Sequence, residues 1–148
     1  MKNFRILTTL FLSFFGIILT SCSSETTINY GKDNCSFCKM TIMDHRFGSE
    51  LVTQKGKIYK FDDISCVYNY LKTNNLGKEK FSYMVVSQFE KPNDFIDVEK
   101  AIFITALQFK SPMMGNTAAF MDDKKVEIIL KNDSTAKVNT WQELNAQF

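Results

Sequence analysis

The chain has 148 residues, 18 Lys and Arg against 16 Asp and Glu, and 45% apolar content with only two prolines. That composition belongs to a globular body rather than a disordered one, and a near-zero net charge leaves no electrostatic footprint for nucleic acid. The length excludes a cofactor domain joined to a substrate domain, and allows one modest domain or two very small units sharing a core.

Lys2 and Arg5 precede a run, residues 6–19, that is almost continuously apolar. This run is shorter than the roughly 20 residues a helix needs to cross the hydrocarbon core. Residues 1–21 therefore read as a cleavable signal peptide. The segment ends Leu19-Thr20-Ser21-Cys22, which resembles a bacterial lipobox and implies a lipid on Cys22 as the new N-terminus. Residues 22–34 then form the anchor and linker, with the polar stretch 23–29 as a stalk. The mature chain is expected on the periplasm-facing side of the inner or the outer membrane. Loss of Lys2 and Arg5 balances its charge. Cys35, Cys38 and Cys66 remain, and an odd number in an oxidising compartment is no plain disulfide framework. At least one thiol is buried, metal-bound or redox-active.

In chain order, residues 35–43 follow the polar Lys32-Asp33-Asn34 and read as a loop or the start of an edge strand. The β-prone runs 49–54 and 57–61 are separated by Lys55-Gly56, a hairpin signal. Asp62 and Asp63 both read as caps of a helix in which Ile64, Val67, Tyr68 and Leu71 recur at helical spacing. A loop over 74–80 leads to a strand at 81–87 and an ambiguous stretch at 95–100. A strand at 102–107, a loop at 111–116, a short strand at 117–120 and a helix at 122–130 follow. The tail around Trp141 is expected to add a strand and a last turn. Phe61, Asp63, Val67 and Leu71 share their spacing with Phe120, Asp122, Val126 and Leu130. The expected fold is α+β, two small related strand-strand-helix halves packed together, roughly 35–90 and 91–148. The alternative is one sheet with both helices on one face.

The sharpest chemical feature is Cys35-Ser36-Phe37-Cys38-Lys39-Met40, with Met43 and the only histidine, His45, close behind. Thiolate, thioether and imidazole are soft to borderline ligands suited to Cu(I). A second soft cluster is Pro112-Met113-Met114-Gly115, with Met121 beyond it. Methionine is ordinary core filler, but two in a row between Pro and Gly sit in a turn, where one side chain at least is exposed. Other uses of Cys35 and Cys38 are a closed disulfide, a share in a structural zinc site with Cys66 and His45, or a redox pair. The redox pair wants a helix N-terminus that this loop does not offer. Cys66, on the first helix and next to Val67, reads first as core. No nucleophile–base pair or acid–base dyad is visible, so the chain is expected to bind rather than catalyse.

These residues together resemble the NosL family of copper-binding lipoproteins, which assist assembly of nitrous oxide reductase. The matching pieces are the lipobox at Cys22, the stretch from Cys35 to Met40, Phe61-Asp62-Asp63-Ile64-Ser65-Cys66, and Ser111-Pro112-Met113-Met114-Gly115 with Ala119-Phe120. The family often has Gly where this chain has Lys39, and one methionine where this chain has Met113 and Met114. The resemblance implies a Cu(I) site, a copper donor, and a membrane-bound assembly machinery as partner. It also implies delivery to a periplasmic enzyme. Cys35, Cys38 or both are expected to bind metal with Met114 or Met113; Met114 is preferred because it adjoins the glycine. Met40 and His45 come next. A thiol–disulfide oxidoreductase using Cys35 and Cys38 is the rival reading.

Overall fold

The computed structural model describes residues 27–147. The expected signal peptide and the lipid-bearing Cys22 lie outside the described residues. Among the described residues no helix is long and apolar enough to cross a membrane.

The first sheet grows from a hairpin. Strand β1, Ser49–Thr53, pairs antiparallel with β2, Ile58–Phe61, around a turn in which Gly56 takes φ +79°. That left-handed conformation is open to glycine at no steric cost. Helix α1, Ile64–Thr73, follows at once and ends near Asn75. Its buried face is Ile64, Cys66, Val67, Tyr68 and Leu71, the spacing that turns one stripe of a helix inward. After a short 3-10 turn, β3, Phe81–Ser87, pairs with the other side of β1, and β4, Phe95–Asp97, closes the sheet in the order β2-β1-β3-β4.

The second sheet follows the same path. Strand β5, Ile102–Thr105, pairs antiparallel with β6, Thr117–Phe120. Helix α2, Asp123–Asn132, is capped by Asp122, whose side chain accepts the Lys124 N–H. Strand β7, Lys137–Asn139, returns to the free side of β5, giving β6-β5-β7. Helix α3, Trp141–Gln147, ends the described chain. The fold is thus mixed α and β with two antiparallel sheets, rather than one sheet with two helices on a face.

Alternation along β5 joins the two cores. Phe103 packs with the first sheet, α1, Trp141 and Leu144, whereas its neighbour Ile104 belongs to a second cluster with Phe47, Phe109, Phe120 and Val126. Successive residues of a strand face opposite sides, so the second sheet has a core on each face. The tail adds the strand β7 and then, from Trp141, the helix α3, and the Trp141 ring lies against Phe103 with centroids 6.3 Å apart.

Candidate metal centre

The loop carrying Cys35 and Cys38 is short and heavily tied. Its neck is an isolated bridge between Asn34 and Thr41, and inside it the Cys35 N–H donates to the Met40 carbonyl at 2.8 Å. Lys39 sits at φ +68°, the αL position that closes the loop, with its Nζ on the Ser36 carbonyl at 2.7 Å. A non-glycine residue is costly there.

Lys60 on β2 pins the loop. The Ser36 N–H donates to the Lys60 carbonyl at 2.7 Å, the Lys60 N–H to Ser36 Oγ at 3.1 Å, and Lys60 Nζ to Asp33 at 2.6 Å. The edge of β2 is thereby covered, and the thiols are set beside the residues that follow it, Asp62 and α1.

There the chain gathers four donors. The ligand atoms of Cys35, Cys38, Asp62 and Cys66 all lie within 4.8 Å of one another. Both the Cys38 and the Cys66 sulfur are 3.5 Å from Asp62 Oδ1. Thiolates sharing one ion at metal–sulfur bonds of about 2.3 Å sit roughly 4 Å apart, so small movements close this set on an ion. Cys35, Asp62 and Cys66 are buried; Cys38 is half-buried and forms the open side.

The three thiols are inequivalent. The Cys66 thiol hydrogen-bonds Cys35, and the backbone N–H groups of Asp62, Phe37 and Cys38 also point at that sulfur. Together they outweigh burial and bring Cys35 down to about 6. Burial pushes Cys38 up to about 11, with the charge of Cys35 and Asp62 adding to it. Cys66 is held protonated well above the usual thiol range, first by its bond to Cys35 and then by burial.

The structure therefore brings Cys35 and Cys38 together, and adds Asp62 and Cys66. Asp62 is not a helix cap: Asp63 alone caps α1, accepting the Ser65 N–H at 2.8 Å. The two differ because Asp63 opens the first turn, while Asp62 lies one residue earlier against the sulfurs. Cys66 is buried, as expected of a free cysteine beside Val67, but its sulfur faces the thiol set. The i to i+4 interval from Asp62 to Cys66 was the available signal, since it places both on one side of a helix start.

The second soft cluster reaches the same helix end. The Met113 N–H donates to Asp63 Oδ2 at 3.0 Å. Met113 is 36% exposed and Met114 83%, the latter at φ +57°. Met40 and Met43 are exposed beside the thiol loop, and Met121 is exposed past the end of β6. His45 is not in the thiol set: its ring stacks on Tyr30 at 3.7 Å, with Nδ1 2.9 Å from Asn93 Oδ1.

A small α+β scaffold carrying three thiols and a carboxylate at one point defines a protein built around a soft-metal or thiol centre. The NosL family profile matches residues 27–147, and the chain belongs to that family. A search of curated proteins finds no match. Among solved structures, the crystal structure of the copper chaperone NosL from Shewanella denitrificans is similar, with a TM-score of 0.65 and 20% identity. The match covers 80% of this chain and 95% of that one. At that identity the likeness is one of fold.

Proposed function

We propose that this chain is a membrane-tethered Cu(I) carrier that delivers copper for maturation of periplasmic nitrous oxide reductase. The observation that carries the reading is the convergence of Cys35, Cys38, Cys66 and Asp62 within 4.8 Å, beside a turn bearing two methionines. Membership of the NosL family, and the copper chaperone of similar fold, support it.

Three sulfurs suit Cu(I) better than a hard cation. A carrier must hold copper against stray ligands and still release it, and a half-exposed Cys38 gives an incoming ligand a sulfur to displace. Cys35 supplies a thiolate near neutral pH, so the first metal–sulfur bond forms without waiting for a proton to leave. A thioether from the Met113–Met114 turn binds without any proton loss, which keeps that part of the affinity independent of pH. The lipid on Cys22 keeps the carrier near its donor and near the membrane machinery that loads the enzyme. The run strand-strand-helix-strand formed by β1, β2, α1 and β3 recurs as β5, β6, α2 and β7, which supports reading the domain as two related units, of which the first carries the thiols, although β4 at 95–97 joins the first sheet from beyond residue 90. The carrier binds and delivers, and catalyses nothing.

The test is an anaerobic competition titration of the reduced chain with Cu(I) against a chromophoric chelator. One equivalent bound, and not displaced by zinc, is expected. No competition would overturn the reading. The unequal acidity of Cys35 and Cys38 also fits a thiol–disulfide oxidoreductase; that reading requires turnover in a dithiol assay, where the carrier gives none.

A further inference from the structure

The Asp63 carboxylate is fully buried and its two oxygens serve different parts of the chain. Oδ1 accepts the Ser65 N–H and caps α1; Oδ2 accepts the N–H of Met113, 50 residues further on. The turn is pressed onto this spot by Gly115. A Cβ there would lie 3.0 Å from Ser65 Cβ and 3.2 Å from Asp63 Oδ1, closer than side chains normally approach. The Met114 N–H on the Ser111 carbonyl at 3.0 Å and the Asn116 N–H on Ser111 Oγ at 2.7 Å close the turn itself. Asp63 thus stands between Asp62 and Cys66 in sequence and holds the methionine turn against the helix end that carries both.

The geometry points to Asp63 as a positioning residue: it sets Met113, rather than Met114, as the thioether that closes over an ion held by Cys35, Cys38 and Cys66. The assignment rests on the copper-carrier reading above. Met113 is the methionine whose backbone is fixed at the helix end, while Met114 is left to solvent by the αL turn. Taking away one acceptor oxygen leaves the part-buried Met113 N–H facing no acceptor, so the turn is expected to lift from the helix and give that N–H to water.

The test uses the full reduced chain with its methionine methyl groups labelled with carbon-13, titrated anaerobically with Cu(I). The Met113 methyl resonance is expected to move with the first equivalent while that of Met114 stays. Asp63→Asn should weaken Cu(I) binding about tenfold and abolish the Met113 response, because its amide group no longer accepts from both N–H groups. Asp63→Asn combined with Met113→Leu should cost no more than Met113→Leu alone, as required of a residue that acts through Met113. Gly115→Ala, whose methyl would crowd Ser65 and Asp63 and push the turn away while leaving the carboxylate chemically intact, should reproduce the loss, and it carries the same comparison should Asp63→Asn lose the fold. Additive losses, an undiminished Met113 response in the variants, or movement of Met114 in place of Met113 would overturn the assignment while copper still binds. Failure of the unaltered chain to take up Cu(I) would overturn the carrier reading and the assignment with it.

Discussion

Cys66 stands where helix packing alone would bury a residue, one position before Val67, and its sulfur lies 3.5 Å from Asp62 among the other thiols. Its two uses make opposite predictions. As core alone, Cys66→Ala would lower thermal stability slightly and leave metal affinity unchanged. As a ligand, Cys66→Ala should weaken Cu(I) binding at least tenfold, about 1.4 kcal/mol, in the same competition titration; the ligand outcome is expected. The thiol set also dictates how stability follows pH. The folded metal-free chain releases its first thiol proton near pH 6, at Cys35, whereas the unfolded chain keeps all three to about 8.5. Between those values the unfolded state binds more protons, so stability rises with pH. Higher up the order reverses, because the unfolded chain frees every thiol while Cys38 holds on to about 11 and Cys66 beyond it. The urea midpoint of the reduced apo-protein should therefore peak near the ordinary thiol range and fall on both sides. A midpoint that does not rise from pH 6 to 8 would contradict the depressed Cys35. Cys35 and Cys38 were legible as a pair, since their spacing is local; the contribution of Cys66 depends on where α1 lands against a loop 28 residues earlier, which spacing alone does not encode.

At the scale of elements, most boundaries follow from chemistry close at hand. Lys55-Gly56 marked the first hairpin, the Asp62-Asp63 pair marked the start of α1, the helix expected at 122–130 is α2, and strand β3 falls on 81–87 as its β-prone run predicted. The stretch 95–100 was ambiguous because its three-residue strand β4 is an edge defined by pairing with β3, a long-range property. The loop at 35–40 offers an elemental prediction of its own. Lys39 adopts φ +68° in the loop that presents Cys38, a conformation costing an ordinary residue roughly 1–2 kcal/mol. Glycine relieves that strain and gives back about 0.5–1 kcal/mol in unfolded-state entropy. Lys39→Gly should then stabilise the chain by roughly 0.5–1 kcal/mol, seen as a higher urea midpoint at unchanged slope. A lower midpoint would mean that the Lys39 bond to the Ser36 carbonyl outweighs the strain.

For the whole molecule the decisive arrangement is that β5 feeds both cores from adjacent residues. The thiols hang on the first sheet and α1, while the methionine turn is the connection between β5 and β6 of the second. On the copper-carrier reading, the geometry of the metal site therefore depends on the two sheets holding one relative position. Phe103 is the residue that transmits this, fully buried against the first core and facing Trp141. Removing its ring should cost about 3–5 kcal/mol, a large share of the 5–15 kcal/mol typical of a domain. Because one strand serves both cores, the loss should not be confined to the second sheet. In Phe103→Ala, Trp141 fluorescence and far-UV ellipticity should follow a single transition, shifted together to lower temperature. Two separated transitions would show that the sheets fold independently. In that case the methionine turn would be brought to the thiols by docking of finished units, and copper affinity would fall long before either sheet melts.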